Sequence, residues 1–236
     1  MELSVVIPVR NEAQNVAPLV AEIVAALAGG IDYEIVYVDD GSSDGTAAEI
    51  EKLQRGNPAL RLVRHRARAG QSAAIRSGVK AARAGWIATI DGDGQNDPAD
   101  IPRLWAMARN ANDPRLLIAG QRTKRRDSAV KRVSSRVANK VRGRLLGDDT
   151  PDTGCGLKLF PRALYLDLPF FDHQHRFLPA LVLREGGRVV SVPVNHRPRE
   201  RGASNYGTLD RLWVGIVDLA GVMWLKRRAG QAITRE

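Results

Sequence analysis

Five times in the first half of this 236-residue chain, a short apolar run rich in β-branched residues ends at Gly, acidic or hydroxyl residues and gives way to helical spacing. Leu3–Ile7, closed by Pro8, is the first such run. Val16, Leu19, Val20, Ile23, Val24 and Leu27 then mark a helix that Gly29-Gly30 stops. Glu34–Val38 leads into a helix reaching about Arg55, and Leu60–Val63 into one opened by Gly70-Gln71-Ser72 and reaching about Ala84. Trp86–Ile90 precedes a helix over about 99–109, and Leu116–Ala119 runs into Gly120-Gln121-Arg122. This alternation predicts an α/β fold, a mostly parallel sheet with helices on both faces. Ligands of such sheets bind outside the carboxyl ends of the strands. Asp39-Asp40, Asp91 with Asp93, and Arg122 each stand at an expected strand end, so they would share one edge.

The central run, Trp86–Ile90, stops abruptly at Asp91-Gly-Asp-Gly-Gln-Asn-Asp97. Carboxylates this close repel unless a cation sits between them, and oxygen ligands suit Mg²⁺ or Mn²⁺. Gln95 adds a neutral oxygen. Asp, Gly and Asn are also ordinary turn formers, so the stretch by itself leaves metal site and plain turn open. The loop at 39–46 resembles neither a Walker loop, lacking Gly-Lys-Ser/Thr, nor the dinucleotide fingerprint, lacking Gly-x-Gly-x-x-Gly. Asp39, at the strand tip, can accept hydrogen bonds from a nucleobase or ribose, whereas Asp44 fits an Asx turn and helix cap.

The formal charge of +10 calls for an anionic partner or surface. A single cysteine, Cys155, excludes an internal disulfide. Placed between two glycines, it reads as a small packed residue. The chain enters a strand with no signal-peptide pattern ahead of it, and no apolar run reaches the ~20 residues of a membrane span, so a cytoplasmic protein is expected. Residues 122–144 hold ten Lys or Arg against one acid, Asp127. Val133, Val137, Val141 and Leu145 form a stripe beside another of Arg132, Arg136, Lys140 and Arg144. Such a basic amphipathic helix suits an anionic membrane surface. It has no aromatic to stack on single-stranded bases, which leaves double-strand phosphate contact open, though no nucleic-acid partner is expected. The tail, Leu212–Leu225, is apolar apart from Asp218 and carries Trp213 and Trp224 near its ends. It would lie in the membrane interface or against an integral-membrane partner, or else close the core of the domain.

Taken together, Ser4-Val-Val-Ile-Pro-Val-Arg-Asn-Glu12, Val38-Asp-Asp-Gly-Ser-Ser-Asp-Gly-Thr46 and Ile90-Asp-Gly-Asp-Gly-Gln-Asn-Asp-Pro98 resemble the inverting family 2 glycosyltransferases of GT-A (Rossmann-like) fold. Asp152–Phe160, His175-Arg-Phe-Leu-Pro179 and Arg199-Glu-Arg-Gly-Ala-Ser204 resemble their dolichyl-phosphate mannosyltransferase-like branch, which glycosylates polyprenyl phosphates. The resemblance covers about residues 1–210 and implies a catalytic domain over 1–207, which leaves the apolar tail as a C-terminal amphipathic, interfacial helix in 208–236. It implies a nucleotide-sugar donor held by Pro8, Arg10, Glu12, Asp39, Asp40 and Asp91, and Mg²⁺ or Mn²⁺ on Asp91, Asp93 and Gln95. Acceptor phosphate would meet Arg122, Arg136, Arg199 and Ser204, with Asp93, Arg199 and Arg122 as the catalytic set, at the inner face of the membrane. Arg10 stands where such proteins commonly carry an aromatic, and Asn205 where they commonly carry Lys. Members acting on hydroxyls usually show a Glu-Asp pair where this chain has His175-Arg176, so the resemblance favours a phosphate acceptor.

Overall fold

The structure is a computed structural model, and it describes residues 1–123, 142–198 and 209–228. The expected alternation is present as β1 (Leu3–Val9), α1 (Ala13–Leu27), β2 (Tyr33–Asp39), α2 (Thr46–Gln54), β3 (Leu60–Arg64), α3 (Gln71–Ala81), β4 (Trp86–Thr89), α4 (Ile101–Ala111) and β5 (Leu116–Arg122). After it come β6 (Lys158–Pro161), α5 (Arg162–Asp167), α6 (Leu178–Arg184), β7 (Arg188–Val194) and α7 (Leu209–Arg227). The last helix of the first half begins later than the spacing suggests. Asp97 accepts a hydrogen bond from the Ala99 N–H, and Pro98–Asp100 form a 3₁₀ turn ahead of α4. Asn112, in the left-handed region, ends α4.

The strands form one seven-stranded sheet in the order β3-β2-β1-β4-β6-β5-β7. All neighbours are parallel except β6, which runs antiparallel to β4 and to β5. The sheet is therefore mostly parallel, as the alternation requires. The antiparallel β6 and the edge strand β7 lie past the point where that pattern stops. Side chains alternate across the sheet, and both faces are covered. Leu3, Val5 and Ile7 pack with Leu19 and Ile23 of α1 and Leu104 of α4. Val6, Val36 and Ile87 face the opposite side, with Val79 of α3, Leu164 of α5 and Leu181 of α6. Each fully buried Leu, Ile or Val stabilises the fold by ~1.5–3 kcal/mol. A helix is required over each face, since strands apolar on both faces expose one of them otherwise.

α7 rests on the second face through Leu219, Val222 and Met223. Arg184 of α6 donates from Nε to the Leu225 carbonyl at 3.1 Å, and Lys226 bonds the Leu146 carbonyl. Ile216, Val217 and Trp224 of the same helix are exposed. Among the described residues no helix is long and apolar enough to cross a membrane.

Candidate active site at the carboxyl edge of the sheet

Because β1, β2, β4 and β5 point the same way, their ends share one edge, and the chain reverses its direction of travel across the sheet at β1. The loops after β1 and β2 are sewn together there. The Asn11 N–H donates to Ser42 Oγ at 3.0 Å, the Ser43 N–H to Asn11 Oδ1 at 2.8 Å, and the Glu12 N–H to Thr46 Oγ1 at 2.9 Å. Asp44 accepts from the Thr46 N–H at 2.9 Å, the Asx turn its spacing suggests. Glu12 Oε2 accepts from Asn15 Nδ2 at 2.5 Å. Asp39 is buried, and its Oδ1 accepts the Ser42 N–H at 3.0 Å. Arg10 Nε is buried with no hydrogen-bond partner among the described residues.

Asp40 is engaged differently from its neighbour. Its Oδ1 accepts the Ala69 N–H at 2.7 Å and lies 2.8 Å from His65 Nδ1, while its Oδ2 accepts the Gly70 N–H at 2.8 Å. Burial alone would raise this carboxyl, but His65 and the two N–H groups outweigh it and hold it below its ordinary value. Asp40 thus fastens the 65–70 loop that delivers α3. Gly70, at φ +95°, makes the turn into that helix.

A cavity of about 500 Å³ opens at this edge. Pro8, Thr89, Ile90 and Asp91 supply its floor from β1 and β4, Gln71 and Ile75 come from α3, and Gly154, Cys155, Gly156 and Lys158 precede or begin β6. His175, Arg176 and Leu178 close the far wall. Gln71 Nε2 donates to Asp91 Oδ1 at 2.9 Å. Burial first, and then the charge of Asp93, push the Asp91 carboxyl up to about 6 against the opposing pull of Lys158 and Arg122. Lys158 is buried, donates to the Thr153 carbonyl at 3.2 Å and bonds the Cys155 carbonyl. Burial lowers its ammonium pKa, partly offset by Cys155, Asp91 and Asp152. Burial raises the Cys155 thiol, which fits the packing role read from its two glycine neighbours.

Asp93 stands on the other side of the acidic turn, beside a smaller hollow of about 160 Å³ shared with Glu22 and Arg197. Its Oδ1 accepts the Gln95 N–H at 3.1 Å, and the Gln95 carbonyl accepts the Arg197 N–H at 2.8 Å. Arg122 is bound to Asp152 by two parallel bonds of 2.7 Å, from Nε to Oδ2 and from Nη2 to Oδ1. Arg10, Glu12, Asp39, Asp40 and Gln95 border the edge without lining the larger cavity. Arg136, Arg199 and Ser204 lie outside the described residues, as does most of the basic stretch.

Among the described residues no three His, Cys, Asp or Glu side chains gather into a metal cage. The donor set nevertheless fits a hard cation of the Mg²⁺ type. Such an ion takes one or two carboxylates and completes its shell with water and substrate phosphate. Asp91, whose proton affinity is raised by burial and by Asp93, is the kind of carboxylate a cation would relieve. One glycine secures its position. A Cβ on Gly156 would lie 2.2 Å from Asp91 Oδ2. Gly156→Ala is therefore expected to displace the carboxylate and lower turnover by about 10²-fold, with an unchanged far-ultraviolet circular dichroism spectrum. Wild-type turnover would show that the position of Asp91 does not matter.

Sequence reasoning missed Gln71 and Lys158 as parts of one cavity with His175, and the contact of Ser72 Oγ with His175 Nδ1 behind it. The Gly154-Cys155-Gly156 run is the signal that could have found the first two, since paired glycines mark close approach of backbone to a neighbour. No signal joins Ser72 to His175, which lie far apart in sequence.

An acid-tipped, mostly parallel sheet with a polar cavity at its switch point is the arrangement by which α/β folds present a ligand site. The chain belongs to glycosyl transferase family 2, whose profile matches residues 4–168, and it is a glycosyltransferase. It is 38% identical over 96% of its length to the dodecaprenyl-phosphate galacturonate synthase of Rhizobium johnstonii, spanning 68% of that protein. It is 34% identical over 88% of its length to the undecaprenyl-phosphate 4-deoxy-4-formamido-L-arabinose transferase of Edwardsiella ictaluri, of which it spans 63%. Among solved structures, the mannosyl-3-phosphoglycerate synthase of Rubrobacter xylanophilus superimposes with a TM-score of 0.71 at 18% identity, over the whole chain and 77% of the other. A mannosyltransferase of Pyrobaculum calidifontis in complex with GDP-Man and Mn²⁺ gives 0.65 at 21%, over 98% of this chain and 66% of the other. These likenesses establish the GT-A fold.

Proposed function

We propose that this glycosyltransferase moves a sugar from a nucleotide-sugar donor to a polyprenyl phosphate, with inversion at the anomeric carbon. One observation carries the choice of acceptor: among the described residues that line the cavity, none is placed to serve as a general base. Among the described lining residues, Asp91 is the one carboxylate, and its role beside Asp93 is with the cation and the donor. His175 and Lys158 are the other candidates: the Nδ1 of His175 is taken up by Ser72 at 2.7 Å, and the Lys158 Nζ is engaged by the Thr153 and Cys155 carbonyls. A hydroxyl acceptor needs a base. A phosphate monoester, with a second pKa of about 6, is already largely dianionic at neutral pH. Its oxygen attacks C1 as the bond from C1 to the diphosphate oxygen breaks, and the nucleoside diphosphate leaves with that electron pair. No proton has to be moved. The names of both curated relatives, which print a polyprenyl phosphate, support the same acceptor.

In this reading Pro8, Arg10, Glu12 and Asp39 line the nucleotide side. Asp91, Asp93 and Gln95 hold Mg²⁺ or Mn²⁺, which when bound offsets charge on the leaving diphosphate. Arg122, Arg136, Arg199 and Ser204 face phosphate. The exposed Ile216, Val217 and Trp224, together with Lys226-Arg227-Arg228, suit a peripheral position on an anionic membrane, at its inner face. The test is transfer of label from a panel of GDP- and UDP-sugars to undecaprenyl phosphate in detergent, with Mg²⁺, Mn²⁺ or EDTA. Metal-dependent formation of a lipid-linked sugar is expected. Transfer to a saccharide hydroxyl without any lipid phosphate would overturn the proposal.

A further inference from the structure

We infer that His175 serves this reaction as a neutral hydrogen-bond donor, presenting Nε2–H to a phosphoryl oxygen in the cavity, with Ser72 fixing that tautomer from behind. The inference rests on the proposed transfer reaction and adds to it a residue and a protonation state.

The argument starts at Ser72, which is buried in the first turn of α3. Its Oγ accepts the His175 backbone N–H at 3.2 Å and lies 2.7 Å from His175 Nδ1. A buried hydroxyl hydrogen requires an acceptor, and the described contacts of Ser72 offer Nδ1. The serine therefore donates to Nδ1, so Nδ1 carries no proton and Nε2 does. The two contacts between Ser72 and His175 close a small ring that fixes the imidazole plane as well as its tautomer. With Nδ1 turned to α3, Nε2 is the ring nitrogen left for the cavity that His175 lines.

The surroundings keep the ring neutral. Burial, then the charges of Lys158 on β6 and of Arg176 and His173 in its own loop, hold its pKa well below the ordinary value. His173 is in turn 3.1 Å from Asp218 of α7 and 3.9 Å from Asp172. Asp91 faces the same cavity from β4. His175 is thus a poor base and a poor cation, but a fixed donor in a cavity that Lys158 and Arg176 also line. A wall of donors and positive charge selects an acceptor atom bearing negative charge. Phosphoryl oxygen is the shared chemistry of the donor diphosphate and the acceptor phosphate.

Two measurements test this. Long-range ¹H–¹⁵N spectra of the full chain labelled at its four histidines are expected to show the His175 ring, assigned by its loss in His175→Gln, as neutral Nε2–H, with its Nδ1 resonance shifted in Ser72→Ala. An Nδ1–H or doubly protonated His175 would overturn the inference. Kinetically, His175→Ala is expected to lower turnover by about 10–100-fold, the loss of one hydrogen bond to a charged group. His175→Gln, whose Nε2 can still donate, is expected to recover part of that loss. Equal loss in both variants, or none in either, would overturn it. Titration with UDP and GDP separates the two sources. Weakened nucleotide binding in His175→Ala assigns the donor diphosphate, while unchanged binding with a raised KM for undecaprenyl phosphate assigns the acceptor. Should the wild-type chain transfer no sugar to lipid phosphate, the proposed reaction fails, while the spectra still decide the tautomer.

Discussion

Asp93→Ala is expected to lower sugar transfer by about 10²–10³-fold in a protein that still folds. The position is half-exposed, on a turn outside the two hydrophobic clusters, so folding has little to lose. Its chemistry has much to lose, because the charge of Asp93 helps raise the proton affinity of Asp91 and makes the pair a site for a cation. The sign of the pH dependence follows. The Asp91 carboxyl is raised from an ordinary 3.8 to about 6 in the folded protein. In the metal-free protein this group therefore favours the folded state at low pH, and the advantage is lost as pH rises through that window. Cation binding runs the other way, since it requires the carboxylate and releases the proton. Thermal unfolding with and without Mn²⁺ is expected to show stabilisation by the ion at about pH 7.5, little at about pH 5, and little at either pH in Asp93→Ala. Near-normal turnover in Asp93→Ala would remove the metal assignment.

What the sequence made legible is what strands and their ends determine locally. The floor of the site comes from the ends of β1 and β4, with the end of β2 beside them; Pro8 closes the first apolar run and acids close the other two, so period and punctuation place Asp39 and Asp91 at one edge. The far wall is different in kind. β6 has four residues and carries a buried lysine, so its pairing is decided by the cavity between β4 and β5 rather than by propensity. His175 meets Ser72 across 103 residues, and no periodicity encodes such a contact. Asp40 shows the limit of adjacency. It follows Asp39 at once, but its carboxylate goes to the Ala69 and Gly70 N–H groups while that of Asp39 goes to Ser42. Arg122 was legible as a strand end, whereas its partner Asp152 was not, because the two meet only after β6 has folded back between β4 and β5.

That partner sets the second large effect. Asp152→Ala is expected to cost about 3–5 kcal/mol of stability, the usual result of leaving one member of a buried ion pair behind. For a chain of this size the unfolding midpoint would fall by about 6–20 °C. The geometry justifies the upper class of effect. The pair is bidentate, Asp152 also accepts the Arg122 backbone N–H at 3.2 Å, and the side chains are 18% and 6% exposed. Asp152→Asn keeps the shape and one acceptor, so it should lose less. Arg122→Met in the Asp152→Ala background removes the orphaned charge and should restore part of the midpoint, which a purely additive pair of sites would not do. The same double variant tests the link to catalysis. Arg122 lowers the proton affinity of Asp91, so its removal should move the acid limb of the rate profile to higher pH. A double variant whose midpoint is the sum of the single losses, with an unmoved acid limb, would mean that Arg122 and Asp152 act independently of each other and of Asp91.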